Sequence, residues 1–278
     1  MQTINCKGTL IDLSTPRVMG IINVTPDSFY DGGKTTTETA IMSQAEKMLT
    51  DGATFLDIGG YSSRPNAVNI SEEEEIARVI PAITEILKIF PTALLSIDTF
   101  RSHVARRAVE AGACMINDIS GGSLDAAMFQ TVASLKVPYI VMHMKGTPQN
   151  MTTKAEYQNI TNEVILYFTQ KLAEARSLGI NDIIIDPGFG FAKTANHSFE
   201  LLNNLELLKS LHAPILAGVS RKSMIYKTLG IEPTEALNGT SVLHGIALDK
   251  GANIIRVHDV KEAVACVKLV TKLKSSDI

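Results

Sequence analysis

Short, almost wholly apolar runs recur along the chain, each closed by one or two polar residues. They read RVMGIINVT (17–25), FLDIGG (55–60), LLSIDT (94–99), MINDIS (115–120), PYIVMHM (138–144), DIIIDPG (182–188), ILAGVS (215–220) and IIRVHD (254–259). Continuous apolar runs of this length suit parallel strands that are covered on both faces. Longer stretches with apolar positions three and four apart lie between them. In ISEEEEIARVIPAITEILKIF (70–90), Ile76, Val79, Ile80, Ile83, Ile86, Leu87 and Phe90 form one stripe, and Ser71 and Glu74 have capping-box spacing at its start. Pro81 predicts a kink or a restart within it. NEVILYFTQKLAEARSLGI (162–180) and TEALNGTSVLHGIALDKGA (234–252) read as further helices, each closing near a glycine.

Eight strands alternating with helices predict a single (β/α)8 barrel, a TIM barrel, occupying residues 1–278 as one α/β domain. INCKGTLIDLS (4–14) predicts a short N-terminal β-hairpin over the barrel floor. An open doubly wound sheet is the competing topology, but no G-x-G-x-x-G follows the first strand.

The polar residues within the strands are not scattered. Asn23 and Thr25, Asp57, Ser96 and Asp98, Asn117, Asp186, Ser220, and Arg256 and His258 almost all lie in the C-terminal halves of their strands, next to the βα loops. In a barrel that end carries the active site. Arg256 and His258 are two apart, so they share a strand face. With Ser220 and Lys222 from the preceding strand end, they suit an anion, because donors outnumber acceptors there. A structural ion pair from Arg256 to a carboxylate such as Asp186 is the other reading. Asp98, Asn117 and Asp186 suit a flat heterocycle bearing N–H groups and a carbonyl, with a metal-binding trio as the competing reading. His103, His143, His197, His212 and His244 show no ligand spacing. NVTPDSFYDGGK (23–34) and GGYSSRPNAV (59–68) have the composition of lid loops.

Composition narrows the setting. The 278 residues are 45% hydrophobic, enough for a large core, and the net charge of −3 without a basic tail argues against nucleic-acid binding. No apolar run approaches the roughly 20 residues of a membrane span, and the N-terminus lacks a secretory pattern. Cys6, Cys114 and Cys266 are odd in number and far apart, which fits a reducing cytoplasm.

MGIINVTPDSFYDGG, DIGGYSSRP, SIDTFR, INDISG, MHMKGTP, DPGFGFAK, GVSRKSMI and IIRVHDV, in this order at strand ends, resemble the dihydropteroate synthases over nearly the whole chain. These are pterin-binding barrel transferases of folate biosynthesis and the targets of sulfonamides. The resemblance implies condensation of 6-hydroxymethyl-7,8-dihydropterin pyrophosphate with p-aminobenzoate, giving 7,8-dihydropteroate and pyrophosphate by an SN1-like route. It implies that Asp98, Asn117, Asp186, Lys222 and Arg256 hold the pterin, with Met142, Phe191 and Gly218 lining the slot. Asn23, Arg256 and His258 would hold the pyrophosphate, and Mg²⁺ would bridge it through Asn23. Phe29, Ser63, Arg64 and Pro65, with Lys222 and Ser223, would form the p-aminobenzoate site. Asp98, Lys222, Arg256 and His258 are the residues it places at the chemistry. It further implies a cytoplasmic homodimer acting on small molecules, with no nucleic-acid or membrane partner.

Tyr61 departs from the Glu more usual in the family, and Asn66 from Gly. A pterin-dependent methyltransferase working with a corrinoid partner shares the barrel but holds no pyrophosphate, so Arg256, His258 and NVTPDSF count against it. A non-catalytic pterin-binding protein would have lost site residues, and none of those named is missing.

Overall fold

The computed structural model of the protein describes residues 3–24, 34–62 and 69–275. A hairpin of β1 (Thr3–Cys6) and β2 (Thr9–Asp12) precedes β3 (Arg17–Asn23), α1 (Lys34–Thr50), β4 (Phe55–Gly59), α2 (Glu72–Ile89), β5 (Leu94–Asp98) and α3 (Ser102–Ala111). Then come β6 (Met115–Asp118), α4 (Met128–Leu135), β7 (Tyr139–Met142), α5 (Ile160–Ser177), β8 (Ile183–Asp186) and α6 (Ala195–Asn203). The chain continues through β9 (Leu216–Ala217), α7 (Ser223–Leu229), α8 (Leu237–Asp249), β10 (Ile254–Val257) and α9 (Val260–Lys274).

Strands β3 to β10 form one parallel sheet in the order β8-β7-β6-β5-β4-β3-β10-β9, and a parallel bridge between Ile185 and Ile215 brings its two edges together. The result is a nearly closed eight-stranded barrel. Side-chain alternation divides each strand between two environments. Val18, Leu56, Leu95, Ile116, Val141, Ile185, Ala217 and Ile255 pack outward against the helices. Met19, Phe55, Met115, Ile140, Ile184, Leu216 and Ile254 face inward and join Ile4, Cys6 and Leu13 in a separate apolar cluster. The hairpin therefore closes the barrel floor, as its sequence predicts. Its turn at Lys7 and Gly8 has φ values of +51° and +86°, the left-handed pair that a tight hairpin favours.

Four sequence expectations need correction. Pro81 lies inside an unbroken α2. It is on the exposed side, where water can serve the carbonyl that loses its partner, while Val79, Ala82, Ile83 and Ile86 keep the helix packed. The capping box at Ser71 is half formed: its hydroxyl accepts from the Glu74 N–H at 3.1 Å, but the Glu74 carboxylate pairs with Arg78. The strands also stop earlier than their apolar runs suggest, so Ser220 and His258 sit in the loops beyond β9 and β10. The predicted helix over 234–252 resolves into a short 3-10 turn and α8. Among the described residues, no helix is long and apolar enough to cross a membrane.

Candidate active site

Two residues beyond the inward floor layer, the alternation places Ile21, Asp57, Ser96, Asn117, Met142, Asp186, Gly218 and Arg256 on the same inner face. Five of these eight are polar. Polar groups buried in a barrel need partners or a ligand, and here most of them find one another. Asp57, with no exposed surface, accepts at one carboxylate oxygen from Arg256 Nε at 2.6 Å and from Asn117 Nδ2 at 2.8 Å. Arg256 Nη2 donates to Asp98 at 2.6 Å. Burial works against the Arg256 charge, but Asp57 and Asp98 outweigh it and keep the guanidinium protonated. The other Asp57 oxygen, Oδ1, and the Ser96 hydroxyl are buried without a hydrogen-bond partner among the described residues.

This geometry revises one premise of the sequence reading. Acceptors are not scarce around Arg256: two carboxylates hold it, and they are Asp57 and Asp98, not Asp186. Nη1 makes no hydrogen bond among the described residues and is the edge left for another group. Asp57 is the residue that sequence reasoning marked as polar but did not assign. Strand parity was the available signal, since it stands on the same inner face as Asn117 and Arg256.

Asp98 ends β5 at the rim, with its side chain 18% exposed. Burial, opposed by Arg256 and reinforced by the nearby charges of Asp57, Glu75 and Asp118, pushes its carboxyl up to about 7. Asn23 ends β3 beside it. Both approach the face of Gly59, where an added Cβ would lie 3.6 Å from Asp98 Cβ and 3.7 Å from Asn23 Oδ1. Glycine there leaves room at the mouth.

Asp186 ends β8, 6% exposed, and accepts from the Gly188 N–H at 2.8 Å. Burial raises its pKa, with Lys222 the main opposing charge. Lys222 precedes α7; its ammonium donates to the Phe189 carbonyl and stands 4.6 Å from the Phe191 ring centroid. Burial brings it down to about 8, although Asp186 and Asp98 pull the other way. Ser223 opens α7, and Gly218 lies against Asp186, its missing Cβ 3.8 Å from a carboxylate oxygen. Met142, Met144, Met151, Ile119 and Ala192, with Phe100, Leu124 and Phe191 at their edge, make an apolar wall beside these groups.

Across the mouth, His258 Nδ1 lies 3.0 Å from the Ser220 hydroxyl, and the His258 N–H donates to the same oxygen at 3.2 Å. His258 is exposed. Arg221, in the left-handed region at φ +52°, grips Asp259 through Nε at 2.8 Å and Nη2 at 2.9 Å. This fork ties the loop after β9 to the loop after β10 and so sets Lys222 and His258 relative to each other.

Phe29, Ser63, Arg64 and Pro65, expected to form the p-aminobenzoate site, lie outside the described residues, as do Thr25 and Asn66. Tyr61, the departure from Glu, is described and is built in. Its ring stands edge-on to Phe100 at 5.1 Å, its hydroxyl accepts from Gln149 at 2.7 Å, and the Arg101 guanidinium lies 5.4 Å from its centroid. Arg101 in turn donates to the Ile70 and Ser71 carbonyls and to the fully buried Glu75 at 2.7 Å. The described residues contain no group of three or more His, Cys, Asp or Glu side chains placed to hold a metal.

A barrel whose inner face changes from apolar floor to a polar, ion-paired mouth is the architecture of a small-molecule enzyme. The family model for pterin-binding enzymes matches residues 19–258, and the chain belongs to that family. It is 42% identical over 266 residues to the dihydropteroate synthase of Escherichia coli (strain K12), covering 95% of this chain and 94% of the relative. Among solved structures, the dihydropteroate synthase of Xanthomonas albilineans with 4-aminobenzoic acid superposes with a TM-score of 0.92 at 39% identity, over 98% of each chain. The same enzyme in complex with 7,8-dihydropteroate gives a TM-score of 0.88 at 37% identity, again over 98% of each chain.

Proposed function

We propose that this protein is a dihydropteroate synthase, joining 6-hydroxymethyl-7,8-dihydropterin pyrophosphate to p-aminobenzoate with release of pyrophosphate. The observation that carries the reading is the polar inner layer, Asp57–Arg256–Asp98 with Asn117 and Asp186, in a chain 42% identical to a dihydropteroate synthase over 95% of its length. Asp186, Asn117 and Asp98 offer acceptors to the N–H edge of a flat pterin, Lys222 a donor to its acceptor side, and the methionine wall a polarisable face.

p-Aminobenzoate is a weak aryl-amine nucleophile, so the route is SN1-like. The exocyclic carbon–oxygen bond breaks as pyrophosphate departs, and the dihydropterin carries the positive charge. The protein then needs no covalent nucleophile. Ionised Asp98 and Asp186 stabilise the ring as it becomes cationic, while Arg256, through its remaining Nη1 edge, and His258 face the growing negative charge of the leaving group. Because Arg256 is already fixed by two carboxylates, it meets that charge with little reorganisation. Exclusion of water from the mouth keeps the cation for the amine.

Mg²⁺ fits this site as an ion that arrives with the substrate. Asn23, at the end of β3, would hold it through its neutral amide oxygen, with water and substrate phosphate oxygens completing the ligands that Mg²⁺ ordinarily takes. When bound, it supplies positive charge to the departing pyrophosphate. The p-aminobenzoate roles proposed for Phe29, Ser63, Arg64, Pro65, Lys222 and Ser223 rest on the family resemblance. The same grounds lead us to propose a cytoplasmic homodimer; the exposed Leu229, Val242, Ile246, Leu269 and Leu273 on α7, α8 and α9 are apolar side chains that such an interface would cover. Light scattering at micromolar concentration distinguishes dimer from monomer. The activity itself is tested by incubating the protein with Mg²⁺ and both substrates. A product with the mass and spectrum of 7,8-dihydropteroate is expected, and none above an enzyme-free control would refute the assignment.

A further inference from the structure

A second buried lysine stands behind the mouth and takes no part in the chemistry above. Lys193, only 8% exposed, ends the loop that follows β8. Its Nζ lies 3.1 Å from the His143 carbonyl, 3.0 Å from the Gly188 carbonyl, 3.0 Å from the Phe191 carbonyl and 2.8 Å from His143 Nδ1. The amine's N–H groups face three carbonyls, and the imidazole is a fourth contact; burial holds the amine's pKa well below the ordinary lysine value, with Asp186 opposing. Burial, with Lys193 and Lys145 adding to it, pushes His143 down to about 2, so the ring is neutral. The His143 N–H donates to the Asp186 carbonyl at 2.9 Å, which joins this cage to the backbone of the residue whose side chain faces the mouth.

The caged loop is tightly turned. Gly188, Gly190 and Ala192 all have positive φ, at +68°, +77° and +48°. Any Cβ at Gly188 would fall 2.2 Å from the His143 carbonyl. Glycine takes a positive φ freely, but Ala192 persists there only where its surroundings hold it, and Lys193, its neighbour, reaches back to two of the loop's carbonyls. The same loop presents the Phe189 carbonyl and the Phe191 ring that together place the Lys222 ammonium.

We propose that Lys193 is a positioning residue for pterin recognition, an internal tie whose contacts with His143, Gly188 and Phe191 hold the loop that sets Lys222 against Asp186. This rests on reading the mouth as a pterin site. The residue acts through Phe189, Phe191 and Lys222 and touches no substrate. Its removal falls mainly on the pterin half of the site; the p-aminobenzoate half, where Lys222 is one of six expected contacts, changes far less.

The test compares wild type with Lys193→Met, which keeps the stem and removes the donors, and with His143→Gln, which keeps the backbone carbonyl and changes only the ring contact. Binding of 7,8-dihydropterin without pyrophosphate is followed by calorimetry, KM for p-aminobenzoate by turnover at saturating pterin substrate, and folding by thermal melting. The expected result is at least a 10-fold rise in the dihydropterin Kd for Lys193→Met, about a 3-fold rise for His143→Gln, and a p-aminobenzoate KM within 2-fold of wild type for both. A lower melting temperature with unchanged dihydropterin Kd in the folded protein would overturn the proposal, as would equal loss for both substrates. If Lys193→Met does not fold, an unchanged Kd in His143→Gln overturns it and the 3-fold rise sustains it. Wild-type protein that binds no dihydropterin would overturn the functional reading itself, and the proposal with it.

Discussion

Asp57→Asn is the sharpest probe of the polar layer, because it removes one charge and almost no volume. Asp57 supplies one of the two carboxylates on Arg256. At a charge separation of about 4 Å and an effective dielectric constant of about 20, the direct attraction is about 4 kcal/mol. Neutralising the side chain also relieves the cost of holding a carboxylate with no exposed surface, and the amide oxygen still accepts a hydrogen bond. The net loss therefore falls below the roughly 3–5 kcal/mol for breaking a buried pair outright, since Asp98 stays on Arg256. It falls within the roughly 1.5–3 kcal/mol of a hydrogen bond to a charged group. We expect destabilisation of about 2–3 kcal/mol, read as a lower urea midpoint at unchanged slope. A cycle with Arg256→Met isolates the pair, and the two substitutions together should cost at least about 1 kcal/mol less than their sum. Dihydropterin binding should weaken as well, because Asp57 fixes which way round the Asn117 amide sits. A midpoint shift worth less than about 0.5 kcal/mol, or strict additivity, would refute the claim that this chain of contacts organises the site.

Asp186→Asn should weaken binding of bare dihydropterin about 10-fold or more, as expected for a buried charged hydrogen bond worth roughly 1.5–3 kcal/mol; a defect seen only with the pyrophosphorylated substrate would contradict a ring contact. Turnover should follow a bell in pH, rising as Asp98 ionises near 7 and falling as Lys222 loses its proton near 8. In stability the sign for Asp98 is reversed: its raised value favours the protonated form in the folded state. Its contribution is fully present below 3.8 and is lost as pH rises through about 7, which urea titrations across that range will measure. Arg101→Met strands the fully buried Glu75 and should cost about 3 kcal/mol in chemical denaturation; a loss under about 1 kcal/mol would mean that Glu75 does not depend on its partner.

Much of the site is legible from strand parity alone. The polar ends of apolar runs at Asn23, Asp98, Asn117, Asp186 and Arg256 mark the rim and inner wall because side chains alternate and barrels put their chemistry at one end. Pairing across the barrel is a different matter. Arg256 meets Asp57 and Asp98 from 199 and 158 positions away in sequence, and only closure of the sheet selects these carboxylates over Asp186. Lys193 was invisible for a related reason. A lysine in a glycine-rich loop reads as solvent-exposed, and its cage of carbonyls exists only once the loop has folded back over β7 and β8. Pro81 misled in the opposite direction, since local propensity predicts a break that packing on the far face of α2 overrides.

The central claim, that the ion-paired mouth couples pyrophosphate departure to capture of an aryl amine, is met most directly by following pyrophosphate release from dihydropterin pyrophosphate with Mg²⁺ in the presence and absence of p-aminobenzoate. We predict release that depends on p-aminobenzoate and matches 7,8-dihydropteroate one for one; release at the same rate without the amine would mean that the site hydrolyses its substrate and would contradict the account.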